Sequence, residues 1–224
     1  MVFWIIGGGK FGGGKFGSRA AHCLNRKDPN ARILLIDSDP DTLQGWKGQV
    51  DTVHVDGITF LERHLDDGKD MMLPDWIVPA IPIHVAFEWI RRTLKMNLDI
   101  TPISVPEKLA SFLPHPVWGK EGELYVSYAK FICPEDCLEP PDLCTVSGKP
   151  REPDLYHVLE KVEIADFRSV VIRSHQLAPG VGGYSAQALV NARSEIGLSE
   201  GRVLVSTACC CHGVVHAFQV SKGY

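Results

Sequence analysis

No apolar stretch in this 224-residue chain is long enough to cross a bilayer; Val2–Ile6 and Trp76–Ile83 are among its longest, and a spanning helix needs roughly 20 apolar residues. Surplus positive charge is missing as well. Lys and Arg number 23 against 27 Asp and Glu, a formal net charge of −4, which excludes the basic footprint of a nucleic-acid binder. No solenoid-length repeat runs through the chain. Met1 leads straight into a strand-like run, with no basic, apolar, small-residue leader, so a cytoplasmic location is expected. What is present is ordinary globular material: 45% hydrophobic and 22% charged residues can build a core, which excludes a disordered tail, a collagen-like fibre and a coiled coil.

The N-terminal third alternates strand and helix signals. Val2–Ile6 is an unbroken apolar run ending in glycines, as a strand buried on both faces would be. A helix is expected over Ser18–Asn25, capped by Ser18, then strands at Arg32–Ile36, Thr52–Val55 and Trp76–Pro79. Helical spacing recurs around Phe60–Leu65 and over residues 84–96, and Thr101–Val105 reads as a fifth strand. This βαβ rhythm predicts an α/β protein with a Rossmann-like, doubly wound and mostly parallel sheet.

The middle differs. Nine of the 15 prolines lie between Pro102 and Pro153, where regular structure should be scarce apart from a strand-like run at Leu124–Ile132. The last third returns to α/β character: a strand at Ser169–Arg173, a loop over Gln176–Tyr184, a helix at Ser185–Ile196 and a strand at Arg202–Ser206. Val214–Val220 reads as strand or helix. The expected division is a nucleotide-binding half over 1–110 and a cysteine-rich half over 111–224, packed on or sharing one sheet.

Glycines follow the first strand in a doubled GGKFG, residues 8–17, giving two overlapping G-x-G-x-x-G frames. Such a turn lets backbone N–H groups meet a pyrophosphate at a helix N-terminus, with an acid about 20 residues on for the ribose. Asp37 stands twenty positions beyond Gly17, so the second frame is preferred: Gly12, Gly14 and Gly17 for phosphate, Asp37 for ribose. An acid there favours NAD or an adenine nucleotide over NADP. A glycine-rich turn that binds nothing is the bland alternative.

Seven cysteines, an odd number with no export signal, argue against a disulfide framework. Cys23 stands alone. Cys133, Cys137 and Cys144 form a C-x3-C-x6-C group in an acidic, proline-rich loop, and Cys209, Cys210 and Cys211 precede His212 at a strand end. Clustered thiols in a reducing compartment hold a metal or do redox chemistry. If the second group stays extended, Cys209 and Cys211 point one way and Cys210 the other. The expected ligands are therefore Cys133, Cys137, Cys144 and Cys209 or Cys211, with His212 as donor or supporting group. An iron–sulfur cluster is the expected cofactor, with zinc as the alternative and metal-free thiol or persulfide chemistry at Cys209–Cys211 as a third reading. Elsewhere, Arg173 and His175 lead into a glycine-rich stretch that could bind an anion or simply connect elements. His84 and His115 read as structural, and Arg91, Arg92 and Lys95 as a solvated helix face.

The stretches WIIGGGKFG (4–12), DWIVPAIPIH (75–84), LPHP (113–116), FICPEDC…C (131–144), RSHQLAPGVGGY (173–184) and TACCCHGVVHAF (207–218) together resemble an uncharacterised family of cytoplasmic proteins from anaerobic bacteria and archaea. Its N-terminal part is similar to the nucleotide domains of potassium-uptake regulators. The resemblance implies a cysteine-bound cofactor and no known reaction. The family pattern has a single GGGKFG and a basic residue between its last two cysteines. The departure at Cys210 implies Cys209 and Cys211 as family ligands. The expected function is an iron–sulfur redox protein with a nucleotide pocket and a redox partner, an oxidoreductase if it is an enzyme. A zinc-stabilised, nucleotide-sensing regulatory module is its rival. Oligomeric state stays open, a homodimer included.

Overall fold

The computed structural model describes residues 1–9, 16–65 and 73–222. Its strands form two separate sheets in two compact units, one made of 1–89 with 175–190 and the other of 90–174 with 191–222.

In the first unit, β1 (Val2–Ile6) pairs in parallel with β2 (Arg32–Asp37) and with β4 (Trp76–Pro79), and β3 (Asp51–His54) adds in parallel to β2. Helices α1 (Phe16–Lys27), α2 (Pro40–Gln44) and α3 (Gly57–His64) connect these strands. Phe3, Ile5, Leu24, Leu35 and Val78 share one buried cluster, which is why the β1 run carries no polar residue. Ser18 lies inside α1 instead of capping it, and its hydroxyl donates to the Gly8 carbonyl at 2.7 Å.

The expected loop at 176–184 is a hairpin, β9 (His175–Ala178) and β10 (Val181–Ser185), which extends this sheet antiparallel to β4. Its glycines read as loop because they serve close packing: a Cβ on Gly183 would stand 2.8 Å from the Ile77 carbonyl oxygen.

Proximity also dictates Gly17, where a Cβ would fall 1.7 Å from the Gly7 carbonyl oxygen. Gly17→Ala is expected to destabilise the first unit by about 2 kcal/mol through overpacking. Thermal unfolding of the variant checks this, and an unchanged midpoint would show that the turn and helix can part at no cost.

The second unit is built on β11 (Gly201–Ala208), parallel to β8 (Phe167–Arg173) and antiparallel to β12 (His212–Lys222). β12 is long enough to pair twice on its far edge, with β7 (Leu124–Ser127) near its start and β5 (Leu98–Ile103) near its end. β6 (Val117–Trp118) borders β7. Residues 98–103 thus form a strand, but an antiparallel one outside the Rossmann-like sheet. The ambiguous 214–220 segment is strand. Leu109, Leu124, Leu155, Leu204 and Val215 form the core here, covered in part by α4 (Leu155–Glu160).

The architecture is α/β, with a mostly parallel sheet in the first unit. The chain is partitioned differently from a single boundary at 110, because β5 joins the second unit and the β9–β10 hairpin joins the first. Among the described residues, no helix is long and apolar enough to cross a membrane.

Candidate metal centre

Strand pairing in the second unit delivers the two cysteine groups to one place. β11 and β12 are joined by the turn Cys209–His212, closed by the Cys209 N–H donating to the His212 carbonyl at 2.9 Å. β7 pairs with the start of β12, Ser127 opposite His212, and the next N–H, that of Tyr128, donates to the Cys211 carbonyl at 3.0 Å. The chain then needs only a few residues to bring Cys133 back, and its sulfur lies 3.5 Å from His212 Nε2. Cys209 Sγ lies 3.9 Å from the other ring nitrogen, Nδ1. One imidazole therefore sits between sulfurs that are 76 positions apart in sequence.

A second turn supplies Cys144. Leu143 and Pro150 bridge antiparallel, Cys144 N–H donates to the Lys149 carbonyl at 2.9 Å, and Gly148 N–H donates to the Cys144 carbonyl at 2.8 Å. Inside this turn, the hydroxyl of Ser147 and the N–H groups of Ser147 and Val146 bond the Cys144 sulfur and bring its pKa down to about 7. The Cys209 turn has the same construction. Its sulfur accepts from the N–H of Cys211 at 3.3 Å and of His212 at 3.4 Å. Cys137 accepts one such bond, from Glu139 N–H at 3.4 Å.

The remaining thiols are set by burial. Cys209 is pushed up to about 12, by burial first and then by the Glu139 carboxylate. Cys211 goes to about 11 by burial, opposed by Arg151, whose guanidinium donates to its sulfur. Burial also raises Cys133, and the neighbouring Cys137 and Cys144 add to the rise. These are thiols close enough to feel one another's charge. A shallow cavity of about 300 Å³ beside the turn is lined by Tyr125, Thr207, Cys209 and His212, so these donors can be reached from solvent.

Cys210 faces elsewhere, packing on the core of the second unit with its thiol bonded to Asp154 and pushed up to about 12 by burial and that contact. Cys23 lies on α1 against the core of the first unit.

Two polar groups that the cysteine spacing does not point to stand in the same place. Arg151 Nε donates to the Pro140 carbonyl at 2.8 Å while Nη2 is buried without a hydrogen-bond partner. Glu139 takes a left-handed backbone, φ +47°, and its Oε1 is likewise buried and unpartnered. Their only sequence signal is position, one beside Cys137 and one at the foot of the Cys144 turn. An orphaned carboxylate oxygen among deprotonatable sulfurs, as at Glu139, is what a cation site holds before it is filled, whereas the guanidinium of Arg151 can only serve the sulfurs as a donor. As they stand, no three or more His, Cys, Asp or Glu side chains among the described residues are arranged to hold a metal ion. The donor types fit a thiophilic ion, and the side chains would have to close around it.

In the first unit, Gly12 and Gly14 lie outside the described residues. Gly17 occupies the tight contact between α1 and the Gly7–Gly8 turn described above. Asp37 ends β2, but its two oxygens already accept main-chain N–H groups, Oδ2 from Gly8 and Oδ1 from Asp39 at 2.8 Å. The other candidates have structural surroundings. Arg173 stacks over the Tyr156 ring at 4.3 Å, His175 packs edge-on against Trp76 at 5.2 Å, and His84 stacks with Phe87 at 6.1 Å.

Residues 86–221 match the family model AF_1314_C, described as an uncharacterized protein, C-terminal domain. An uncharacterized protein of Archaeoglobus fulgidus is 32% identical over 230 residues, covering 96% of this chain and 98% of that one. No solved structure matches. The matched region contains both cysteine groups, Glu139, Arg151 and His212, and the chain belongs to this AF_1314_C family.

Proposed function

We propose that the second unit binds a metal ion between its two cysteine groups, through Cys133, Cys137, Cys144 and a donor from the Cys209–His212 turn. The paired N–H···S turns at Cys144 and Cys209 carry the reading. Main-chain N–H groups aimed at sulfur stabilise the thiolate, the form that binds metal, and are idle around a merely buried thiol. Zinc suits the donor set best, since it accepts an imidazole among thiolates in a tetrahedral shell. Bound there, it would supply a fixed cross-link between the 128–151 segment and the β11–β12 turn, without redox change of its own.

The iron–sulfur cluster favoured by the sequence keeps one specific support. Five thiols, Cys133, Cys137, Cys144, Cys209 and Cys211, gather where a single zinc needs four donors. Metal analysis of protein purified without air separates the two readings. Stoichiometric zinc in a colourless sample is expected. Iron with acid-labile sulfide and broad absorption near ~400 nm would replace zinc by the cluster, and a sample with neither metal would remove both.

A dinucleotide site in the first unit is a separate proposal, resting on the Gly7–Gly8 main chain, Gly17 and Asp37 at the ends of β1 and β2. Each Asp37 oxygen keeps a lone pair for a ribose hydroxyl, and calorimetric titration with NAD reads the site directly. With both sites occupied, the protein would be a zinc-stabilised module that senses a nucleotide.

A further inference from the structure

We infer that Glu139 is itself a donor to the centre, contributing a carboxylate oxygen on the side of the Cys209–His212 turn. This rests on the metal reading above and names a ligand that the cysteine pattern omits. Three independent observations converge on the residue. Its backbone is left-handed at φ +47°, a strained state for a side chain with a Cβ, and such strain persists where the surroundings enforce it. The turn aims the Glu139 N–H at Cys137 Sγ, 3.4 Å away. Oε1 is buried with no hydrogen-bond partner.

The third observation is the company it keeps. The carboxylate bonds the Cys209 thiol, and its charge reaches Cys133, Cys210, Cys211 and His212. A carboxylate placed among sulfurs that must ionise to bind metal is repelled by all of them unless a cation lies between. Arg151 does not fill that place at these atoms, since its Nη2 and Glu139 Oε1 are both left unpartnered. An ion that accepts sulfur, nitrogen and oxygen donors together would satisfy the thiolates, the His212 imidazole and the Glu139 carboxylate, and zinc is one.

The test uses the full-length chain, stripped and then titrated with zinc(II) or cobalt(II) against a chromophoric chelator. Wild type should bind one equivalent. E139Q, which removes the charge, and E139G, which suits the left-handed turn, should each weaken zinc at least tenfold, the low end of what ligand-sphere losses cost. The visible bands of the cobalt form should shift, and X-ray absorption should lose one oxygen from the shell. Metal-free E139G should melt no lower than metal-free wild type, because glycine relieves the strained turn.

An affinity loss below tenfold with an unchanged cobalt spectrum, in a protein whose wild type binds, overturns the Glu139 assignment and leaves the metal reading standing. A metal-free E139G that melts lower than wild type also overturns it, since the residue would then serve the fold alone. Wild type binding neither ion overturns the metal reading, and the assignment with it.

Discussion

If the second unit holds the proposed metal, stripping it is expected to free residues 131–149 while the β8–β11–β12 sheet stays folded. This segment has almost nothing else to hold it. Among the described residues, its one β-bridge beyond β7 is the isolated Leu143–Pro150 pair, and Ile132 and Leu138 are 98% and 63% exposed. Ordering a residue costs about 1–2 kcal/mol of backbone entropy, which regular domains repay by apolar burial. Here the burial is lacking, so the difference would fall on the proposed metal, and structural zinc sites supply about 10–16 kcal/mol in small domains. Hydrogen exchange with and without chelator checks the expectation. Protection across 131–149 should fall by about a hundredfold or more, while the amides of β11, between two partner strands, should not change. Cys144→Ala should reproduce the loss in the presence of zinc. Cys210→Ala should keep the metal, because its thiol points to Asp154 and the core. Protection that ignores the chelator would show that the segment orders itself, and metal loss in Cys210→Ala would show that the wrong sulfurs have been grouped.

The parallel strands were legible because each is written locally: VFWII, RILLI and WIVP are apolar runs closed by glycine, aspartate or proline. The opposed facing of Cys210 was expected for an extended segment, whereas Cys209–Cys211 form a turn, and it is the turn that sends Cys210 to the core and Asp154. What was not legible depends on partners far away in sequence. β5 was expected to continue the parallel sheet by its place in the βαβ order, but the long β12 offers it an antiparallel edge. The QLAPGVGGY hairpin looked like a loop because its glycines answer to a neighbouring strand and not to flexibility. Glu139 and Arg151 carried no spacing signal, since a carboxylate or guanidinium in an acidic, irregular stretch is most simply solvated. Only the folded turn shows one with its oxygen buried and the other on the Cys211 sulfur.

In the metal-free, reduced protein, Cys144 is expected to alkylate well ahead of the Cys209–Cys211 turn. Hydrogen bonds from Ser147 and from the main chain hold its pKa at about 7, while Cys210 stands at about 12 and Cys211 at about 11. At pH 7 roughly half of Cys144 is thiolate, against on the order of one part in 10⁵ for a thiol titrating near 12. Intrinsic nucleophilicity works the other way, falling with pKa at a slope of about 0.4–0.5, which cancels roughly two of those five decades. An advantage on the order of 10²–10³-fold remains. The sign fixes the pH profile. A thiol with a depressed pKa gains its reactive form at lower pH than an ordinary one, so labelling of Cys144 by iodoacetamide should climb through about pH 6–8 and level off above, with its midpoint at about 7. Ser147→Ala removes the largest cause of the depression and should move that plateau to higher pH. Zinc should abolish the labelling at Cys144. Peptide mapping that finds Cys209, Cys210 or Cys211 modified first would instead make the three-cysteine turn a reactive thiol site, and would count against its role in holding a metal.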